Sequence, residues 1–245
     1  MNRLLFTASF CLLFACGTTQ QSSVSSTTHN NLTNKAKEEG WRLLFDGTTK
    51  NGWHVFNNKT DGSAWRVADG TLFLDPKARG PKGEGGGDII TEEAFENFHL
   101  KLDWKLDSAG NSGVVIQAQE DPKYRYPWVT GPEIQIIDNN AHPDAKNKEH
   151  RAGDLYDLVA GTPETVKPIG EWNSMEIVQN NGKLDLFQNG VKVVSTTQWD
   201  DNWSKLIVES KFKSMADFGK FRKGKIALQD HGNPVWFRNI MIKSL

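Results

Sequence analysis

The sequence has almost no cysteine and almost no net charge. Its 245 residues include two cysteines, Cys11 and Cys16, so the chain beyond them can form no disulfide and must be stabilised by packing. The 29 Lys and Arg residues nearly balance the 30 Asp and Glu residues, and the formal net charge is −1 at pH 7. A protein that coats nucleic acid needs a strong excess of positive charge. The composition excludes that class, and no nucleic-acid partner is expected.

A run of apolar residues long enough to span a bilayer is also missing at the N-terminus. Residues 4–14 are apolar over about the length of a secretory signal core, and Arg3 precedes them. The segment Leu13-Phe14-Ala15-Cys16-Gly17 resembles a bacterial lipobox. The resemblance implies that residues 1–15 are a signal peptide and that Cys16 carries the lipid anchor. The expected location is the bacterial cell envelope, at the periplasmic or outer-membrane surface, with the lipid as the membrane contact.

The segment after the lipobox has the composition of a spacer. Residues 17–34 contain no Lys, Arg, Asp or Glu, and nine of the 18 are Ser or Thr. Such a sequence buries too little apolar surface to fold. We therefore predict a lipidated, flexible tether over residues 16–34 and one domain over residues 35–245.

Short segments with period-two alternation dominate that domain. In the clearest one, residues 98–106, every second residue is apolar, as in a strand with one buried face. Turn pairs such as Asp69-Gly70 separate further predicted strands at 42–45, 64–67, 71–74, 113–118, 133–137, 172–178, 184–188, 191–195, 225–229 and 235–242. An amphipathic helix is predicted over residues 200–211, capped by Asp200 and with Trp203 on its apolar face. The pattern predicts an all-β sandwich.

A series of short motifs occurs in order along this domain. They are Leu44-Phe45-Asp46-Gly47, Gly52-Trp53, Trp65-Arg66-Val67, Asp69-Gly70, Asn111-Ser112-Gly113, Gly131, Glu133-Ile134-Gln135-Ile136-Ile137-Asp138-Asn139, Lys167-Pro168, Gly170-Glu171-Trp172-Asn173, Leu228-Gln229-Asp230-His231-Gly232 and Phe237-Arg238-Asn239-Ile240. The series resembles the 3-keto-disaccharide hydrolase family, which was formerly a family of unknown function. The members are described as 3-keto-glucoside 1,2-lyases and 3-keto-2-hydroxy-glucal hydratases. The resemblance implies a concanavalin A-like jelly roll with one or two short helices, and a sugar or glycoside substrate.

Two polar residues on one predicted strand are candidates for the site. Glu133 and Gln135 are two residues apart and so face the same side of the sheet. Asp138 returns to that side only if the strand is bulged or ends there. A solvated outer face would explain this row of polar residues. A concave face that binds sugar would explain it equally well.

Cleavage of a 3-keto-glucoside by elimination, as the family resemblance implies, needs three groups. A general base removes the proton from carbon 2, a donor or metal holds the enolate oxygen, and an acid protonates the leaving oxygen. Glu133, Asp138 and His231 are the candidate catalytic residues, with Glu133 as the base. The candidate substrate-binding residues are Asn111, Gln135, Tyr156, Lys167 and Gln229, and either Tyr156 or Lys167 could donate to the enolate oxygen.

A divalent metal ion is an alternative holder of that oxygen. His142, Asp144, His150 and Asp154 occur close together in the sequence, and Asp, Glu and His with water would suit calcium or manganese. Their spacing matches no zinc pattern, and carboxylates in such a loop are also ordinary turn formers. No cofactor is assigned from the sequence, and a divalent metal ion stays open.

Two other functions compete with elimination. The spacing of Glu133, Gln135 and Asp138 resembles the Glu-x-Asp-x-x-Glu strand of laminarinase-like retaining glycosidases, which hold two carboxylates about 5 to 5.5 Å apart. This sequence departs from that pattern twice, with Gln135 for the central Asp and Asp138 for the final Glu. A retaining-type glycoside hydrolase is the first alternative. A non-catalytic glycan-binding lipoprotein on the same sandwich is the second.

Overall fold

Residues 29–245, which the computed structural model describes, form a sandwich of two antiparallel β-sheets. The larger sheet contains β1 (Arg42–Leu43), β3 (Trp65–Ala68), β4 (Thr71–Leu74), β6 (Phe98–Leu106), β9 (Asn173–Asn180), β10 (Lys183–Gln188), β11 (Val191–Thr197) and β13 (Val235–Ser244). The smaller sheet contains β2 (Trp53–Val55), β5 (Ile89–Phe95), β7 (Asn111–Ala118), β8 (Glu133–Ile137) and β12 (Gly224–Leu228). The predicted all-β sandwich is confirmed.

The strand order places β8 at one edge of the smaller sheet. The larger sheet has the order β11-β10-β9-β6-β13-β4-β3, with β1 also paired to β13. The smaller sheet has the order β2-β5-β12-β7-β8. The chain crosses repeatedly from one sheet to the other, so strands distant in sequence become neighbours. Residues from the regions near 88, 113, 133 and 229 are thereby brought onto one small sheet.

The main core lies between the two sheets. Along β6, buried and half-buried residues alternate over the whole strand, as the sequence predicts. The facing sheet contributes Val114 and Ile116 from β7 and Ile134 and Ile136 from β8. Each buried Å² of such apolar surface stabilises the fold by about 25 cal/mol. This packing takes the place of disulfides in the described part of the chain.

The outer face of the smaller sheet is covered as well. Every residue of β7 and of β8 is buried, not only those that face the core. The long connection between β8 and β9 and the segment after the second helix supply part of the cover. The polar row on β8 is therefore not a solvated surface. It lies at the bottom of a recess.

Two short α-helices occur in the described residues, α1 (Asn34–Glu38) and α2 (Asp201–Glu209). The Asp200 side chain accepts the first-turn N–H of Trp203, which is the predicted N-cap. Trp203 is buried and its indole N–H donates to the Gly219 carbonyl. The helix ends at Glu209, and a 3₁₀ turn, Lys211–Ser214, follows it. No helix within residues 29–245 is long and apolar enough to cross a membrane.

The expected signal peptide, Cys16 and most of the expected tether lie outside the described residues. Contacts with the sandwich are already present at Asn30, whose side chain donates to the Gly70 carbonyl at 2.7 Å. Asn30 also exchanges two hydrogen bonds with Asn239, at 2.7 and 2.8 Å. Asn239 has a φ of 53° at the bulge in β13, a backbone conformation that asparagine tolerates well. The last residues assigned to the tether thus pack against the larger sheet.

Candidate active site

The candidate site is built on the outer face of the smaller sheet. Gln135 on β8 lies opposite Gly113 on β7, and Glu133 lies opposite Val115. The N–H of Gln229, just after β12, donates to the Gly113 carbonyl at 2.9 Å, which extends the row to a third strand. Directly opposed residues of antiparallel strands point to the same face. Glu133, Gln135 and Gln229 therefore share one surface.

Glu133 is the buried carboxyl at the centre of this surface. Its side chain extends over Gly113, where a Cβ would overlap Oε1 of Glu133. Gln229 Nε2 donates to Oε2 at 3.2 Å. The pKa of Glu133 is raised to about 8, mainly by burial. The nearby Asp88 and Asp144 act in the same direction, and Lys211 and the Gln229 hydrogen bond act against them. A carboxyl with this pKa exchanges a proton readily near neutral pH.

The connection from β8 to β9 folds back along the edge of β8 and brings further groups to the site. Gln135 N–H donates to the Asp154 carbonyl, and Tyr156 N–H donates to the Glu133 carbonyl, each at 3.0 Å. These backbone bonds place Tyr156 beside the strand. Its hydroxyl donates to Asp144 Oδ2 at 3.0 Å.

A network of side-chain hydrogen bonds holds this connection in place. His150 lies between two carboxylates, with Nδ1 at 2.8 Å from Asp144 and Nε2 at 2.8 Å from Asp157. Its ring also stacks on Tyr156, with centroids 4.1 Å apart. Asp157 in turn accepts the backbone N–H of Lys211 at 2.7 Å. The network links the connection to the segment that follows α2.

Lys211 provides a cation at the cavity. Its Nζ lies 4.0 Å from the centroid of the Tyr156 ring, within the range of a cation–π contact. Burial lowers the pKa of Lys211, while Glu133, Asp157 and Asp144 raise it. Burial, with Asp144 next in effect, raises the pKa of Tyr156. The tyrosine therefore stays a hydroxyl donor at neutral pH.

His231 lies at the mouth of the site, exposed as a whole residue but with its ring partly desolvated by its neighbours. Its ring meets that of His142 edge to face, with centroids 6.0 Å apart. Desolvation of the ring and the neighbouring His142 lower the pKa of His231. The neutral imidazole can accept or donate a proton in this position.

These groups line one cavity of about 130 Å³, together with two aromatic residues. The lining residues are Asn111, Trp128, Glu133, Gln135, Asp144, Tyr156, Lys211, Phe212, Gln229 and His231. Two buried acceptors in the lining, Oδ1 of Asn111 and Oε1 of Gln229, have no hydrogen-bond partner among the described residues. An unpaired buried acceptor is costly, so both atoms are suited to hydroxyl donors of a ligand.

The structure brings together six of the eight residues proposed from the sequence, and the other two do not line the cavity. Asp138 lies at the end of β8, where its carboxylate accepts N–H groups of Ala109, Asn140 and Ala141 at 2.9 to 3.2 Å. Burial alone would raise the pKa of Asp138, but these donors lower it. Lys167 donates to the Trp172 carbonyl at 3.1 Å. Asp138 caps a turn, and Lys167 holds a loop.

Three lining residues were not predicted at all. Trp128, Lys211 and Phe212 lie in short 3₁₀ turns. The sequence predicts Lys211 as the last residue of the helix over residues 200–211, and nothing in that pattern indicates a place in the site. The sequence suggests Asp144 only as a metal ligand. Its contacts with His150 and Tyr156 show it as part of the network that supports the cavity.

The loop proposed for a metal ion is internally satisfied. Asp154 accepts the N–H groups of Arg151 and Gly161, and burial raises its pKa to about 6. Asp144 and His150 are hydrogen-bonded to each other. Within residues 29–245, no group of three or more His, Cys, Asp or Glu side chains is arranged to hold a metal ion.

The geometry also bears on the retaining-glycosidase alternative. That mechanism needs two carboxylates about 5 to 5.5 Å apart on either side of the glycosidic bond. The second carboxylate of the sequence pattern is Asp138, and three backbone donors hold it at the turn. The pair formed by Glu133 and Asp138 is therefore not present in the cavity.

Comparison with known proteins gives consistent matches over the whole sandwich. The sequence model of the 3-keto-alpha-glucoside-1,2-lyase-like domain matches residues 40–243. A 3-keto-disaccharide hydrolase of Bacteroides thetaiotaomicron is 35% identical over 233 residues, which cover 84% of this chain and 79% of that protein. Two crystal structures of Parabacteroides distasonis proteins share the fold. The first has a TM-score of 0.80 at 34% identity and covers 89% of this chain and 99% of its own. The second has a TM-score of 0.62 at 28% identity and covers 84% and 99%.

Proposed function

The chain belongs to the 3-keto-alpha-glucoside-1,2-lyase-like family, and from that premise we propose that it cleaves 3-keto-glucosides by elimination. The protein is an enzyme acting on glycosides. A sugar with a ketone at carbon 3 has an acidic proton at carbon 2. Removal of that proton gives an enolate, and the enolate expels the substituent at carbon 1. Addition of water to the resulting glucal completes a net hydrolysis.

The observation that carries the proposal is the environment of Glu133. The carboxyl is 6% exposed, has one side-chain donor, and occupies the space that Gly113 leaves open. Because its pKa is raised to about 8, the carboxylate is a much stronger base than an exposed one. In the proposed reaction Glu133 takes the proton from carbon 2, and the electron pair moves into the enolate.

Lys211 is suited to the negative charge that develops on the oxygen at carbon 3, and the Tyr156 hydroxyl would add a hydrogen bond by turning from Asp144 to that oxygen. The ammonium group and the hydroxyl both reach the cavity that Glu133 lines. A preorganised donor in a desolvated site stabilises a developing oxyanion strongly. The unpartnered acceptors on Asn111 and Gln229 would bind sugar hydroxyls. His231 at the mouth is placed to move a proton to or from water during hydration.

The test is to incubate the purified protein with a glucoside and with its 3-keto derivative. We expect only the 3-keto compound to be consumed, with 2-hydroxy-3-keto-glucal or free 3-keto-glucose as the product. Glu133→Gln keeps the shape of the side chain and removes the basic oxygen, so turnover should fall by at least about 100-fold.

Glu176→Gln is the matched control. Glu176 lies on β9 in the larger sheet and pairs with His99 and Lys101, outside the cavity lining. Its substitution should leave turnover near that of the parent. Hydrolysis of the unoxidised glucoside at a comparable rate would contradict elimination. Binding of sugars without any turnover would favour the glycan-binding alternative.

We also propose that the enzyme acts in the bacterial cell envelope, held by a lipid on Cys16. The support is the lipobox-like segment and the uncharged, Ser/Thr-rich residues that follow it. A lipid anchor with a flexible spacer would hold the active site close to a membrane surface and leave it free to meet soluble glycosides.

A further inference from the structure

A second cavity opens beside the Glu133 cavity. It has a volume of about 380 Å³ and shares Trp128, Gln229 and His231 with the first. The other lining residues are Arg79, Asp88, Tyr126 and Asp230. Trp128 stacks on Tyr126 with ring centroids 5.1 Å apart, so the two aromatic rings form one wall that passes from the first cavity into the second. The reaction steps attributed to Glu133, Lys211 and Tyr156 leave this space unused.

Asp88 is the buried carboxyl of the second cavity. It is 9% exposed and directly precedes β5. Its Oδ1 accepts the backbone N–H of Asp230 at 2.8 Å. The Asp230 carboxylate is itself held by the Arg79 guanidinium and by the Gly87 N–H. The hydrogen bond from Asp230 therefore fixes the position of Asp88. Of the two carboxyls, Asp230 forms an ion pair with Arg79, whereas Asp88 forms none among the described residues.

The strand register fixes how far Asp88 lies from Glu133. Ile89 lies opposite Leu228 on β12, so Asp88 is beside Gln229. Gln229 lies beside Gly113 on β7, and the Glu133 carboxyl is over Gly113. Two strand spacings of about 4.8 Å separate the backbones, which puts the carboxyls roughly 7 to 10 Å apart. Gln229 stands between them.

That separation suits a base and an acid that act on neighbouring atoms. The hydrogen on carbon 2 and the glycosidic oxygen of a glucoside are about 3 Å apart. If one carboxyl reaches the hydrogen and another reaches the oxygen from the opposite side, the two carboxyls are about 6 to 9 Å apart. A substrate with its 3-keto ring over Glu133 would extend its second ring toward Asp88.

We propose that the second cavity binds the aglycone of the 3-keto-glucoside, and that Asp88 donates a proton to the glycosidic oxygen as it leaves. The proposal rests on the function proposed for Glu133. Glu133 takes the proton from carbon 2, the electron pair forms the double bond between carbons 1 and 2, and the bond from carbon 1 to oxygen breaks. The released alkoxide takes the proton of Asp88. Water then carries the proton from Glu133 to Asp88, which restores the carboxylate and the carboxylic acid with no net gain or loss of protons.

The chemistry of the second cavity agrees with this role. Burial raises the pKa of Asp88 to about 7, against the opposing effects of Lys59 and Arg79, so the carboxyl can carry a proton at neutral pH. The pKa of Glu133 is raised further, to about 8, so the reactive form, with Asp88 protonated and Glu133 ionised, is a minority of the molecules at neutral pH. Arg79 and His231 offer hydrogen bonds around it, and Trp128 offers an apolar ring. These are the groups that bind a hydroxylated ring, so the aglycone class is a second sugar.

The test compares two leaving groups on the same 3-keto sugar. A sugar alkoxide needs a proton to leave, whereas 4-nitrophenolate leaves without one. Asp88→Asn keeps an oxygen that can accept the Asp230 N–H and removes the acidic proton. We expect its turnover of a 3-keto-disaccharide to fall by about 100-fold or more, and its turnover of 4-nitrophenyl 3-keto-glucoside to stay within about 5-fold of the parent.

Controls separate this role from others. Glu133→Gln should lose both substrates, because both need the base. Asp107→Asn, at an exposed turn outside both cavity linings, should lose neither. Equal losses of both substrates in Asp88→Asn, or near-parental turnover of the disaccharide, would overturn the assignment of Asp88. A parent protein that converts neither substrate would overturn the proposed function itself.

Discussion

Replacement of Glu133 by Gln should make the protein more stable at high pH while it makes the enzyme inactive. The pKa of the carboxyl is raised from 4.5 to about 8 in the folded protein, mainly by burial. Between pH 4.5 and about pH 8, the folded state therefore keeps a proton on Glu133 that the unfolded state has released. Stability must fall as pH rises through this window, because the folded state is the one that binds more protons. Below about pH 4.5 both states hold the proton, and stability no longer depends on this group.

The size of the effect follows from the difference between 4.5 and about 8, which corresponds to roughly 5 kcal/mol. We take this as an upper value, since water entering the cavity would reduce the cost of the charge. The amide side chain that E133Q introduces carries no ionisable group, so the variant avoids the loss. Relative to the parent, its free energy of unfolding should rise by up to about 4 kcal/mol between pH 5 and pH 9, because part of the full difference falls outside this pH interval.

Urea unfolding of the parent and of Glu133→Gln at pH 5 and pH 9 measures this difference. Asp88 also titrates in the window and its charge acts on Glu133, so the comparison is repeated in an Asp88→Asn background. Glu176→Gln gives the opposite control. Burial acts to raise the pKa of Glu176, but hydrogen bonds and charge from Lys101 and His99 lower it overall, so the ionised carboxylate stabilises the fold. Replacing Glu176 by Gln should therefore lower the free energy of unfolding at both pH values. A gap between parent and Glu133→Gln that is the same at pH 5 and pH 9 would refute the burial argument.

Four further outcomes are expected. Gly113→Ala should displace the Glu133 carboxylate, because the added methyl group overlaps Oε1, and should lower turnover by at least about 10-fold; unchanged kinetics would mean that the carboxylate has another place to go. Phe237→Ala, at a fully buried core position, should lower the free energy of urea unfolding by about 3 to 5 kcal/mol, and a loss below about 1 kcal/mol would contradict its place in the core. Asp200→Ala should cost about 1 kcal/mol by thermal unfolding through loss of the N-cap, whereas Asp200→Asn should cost less. Cys16→Ser should move the protein from the membrane fraction to the soluble fraction, and co-fractionation with membranes in both forms would contradict a lipid anchor.

The sequence predicts strands well where one face is buried and the other is not. Residues 98–106 alternate without interruption, and β6 has the same bounds. β5 was not predicted, because three buried residues are followed by three exposed ones and the pairing with β12 is bulged. β2 was missed because three residues are too few to show a period.

The candidate site is harder to predict, because its depth depends on the segments that cover it. Glu133 and Gln135 are identified from their spacing on one strand, but burial of that face comes from the connection after β8 and from Lys211 after α2. Asp138 is close in sequence and was expected to act with Glu133. Its carboxylate instead accepts hydrogen bonds from backbone N–H groups at the strand end. The local sequence does not show whether such a carboxylate caps a turn or takes part in catalysis.

Because β8 is an edge strand, loss of the active-site cavity and aggregation of the protein should be connected. On its free side β8 is paired with the connection only through a few backbone bonds, among them those of Gln135 with Asp154 and of Tyr156 with Glu133. If the connection detaches, the cavity loses its wall and the strand exposes a row of unpaired N–H and C=O groups in one event. Such a row is a template for pairing with a strand of another molecule. Loosening of this connection should therefore appear in solution as aggregation that accompanies inactivation, at temperatures where the core between the sheets is still intact.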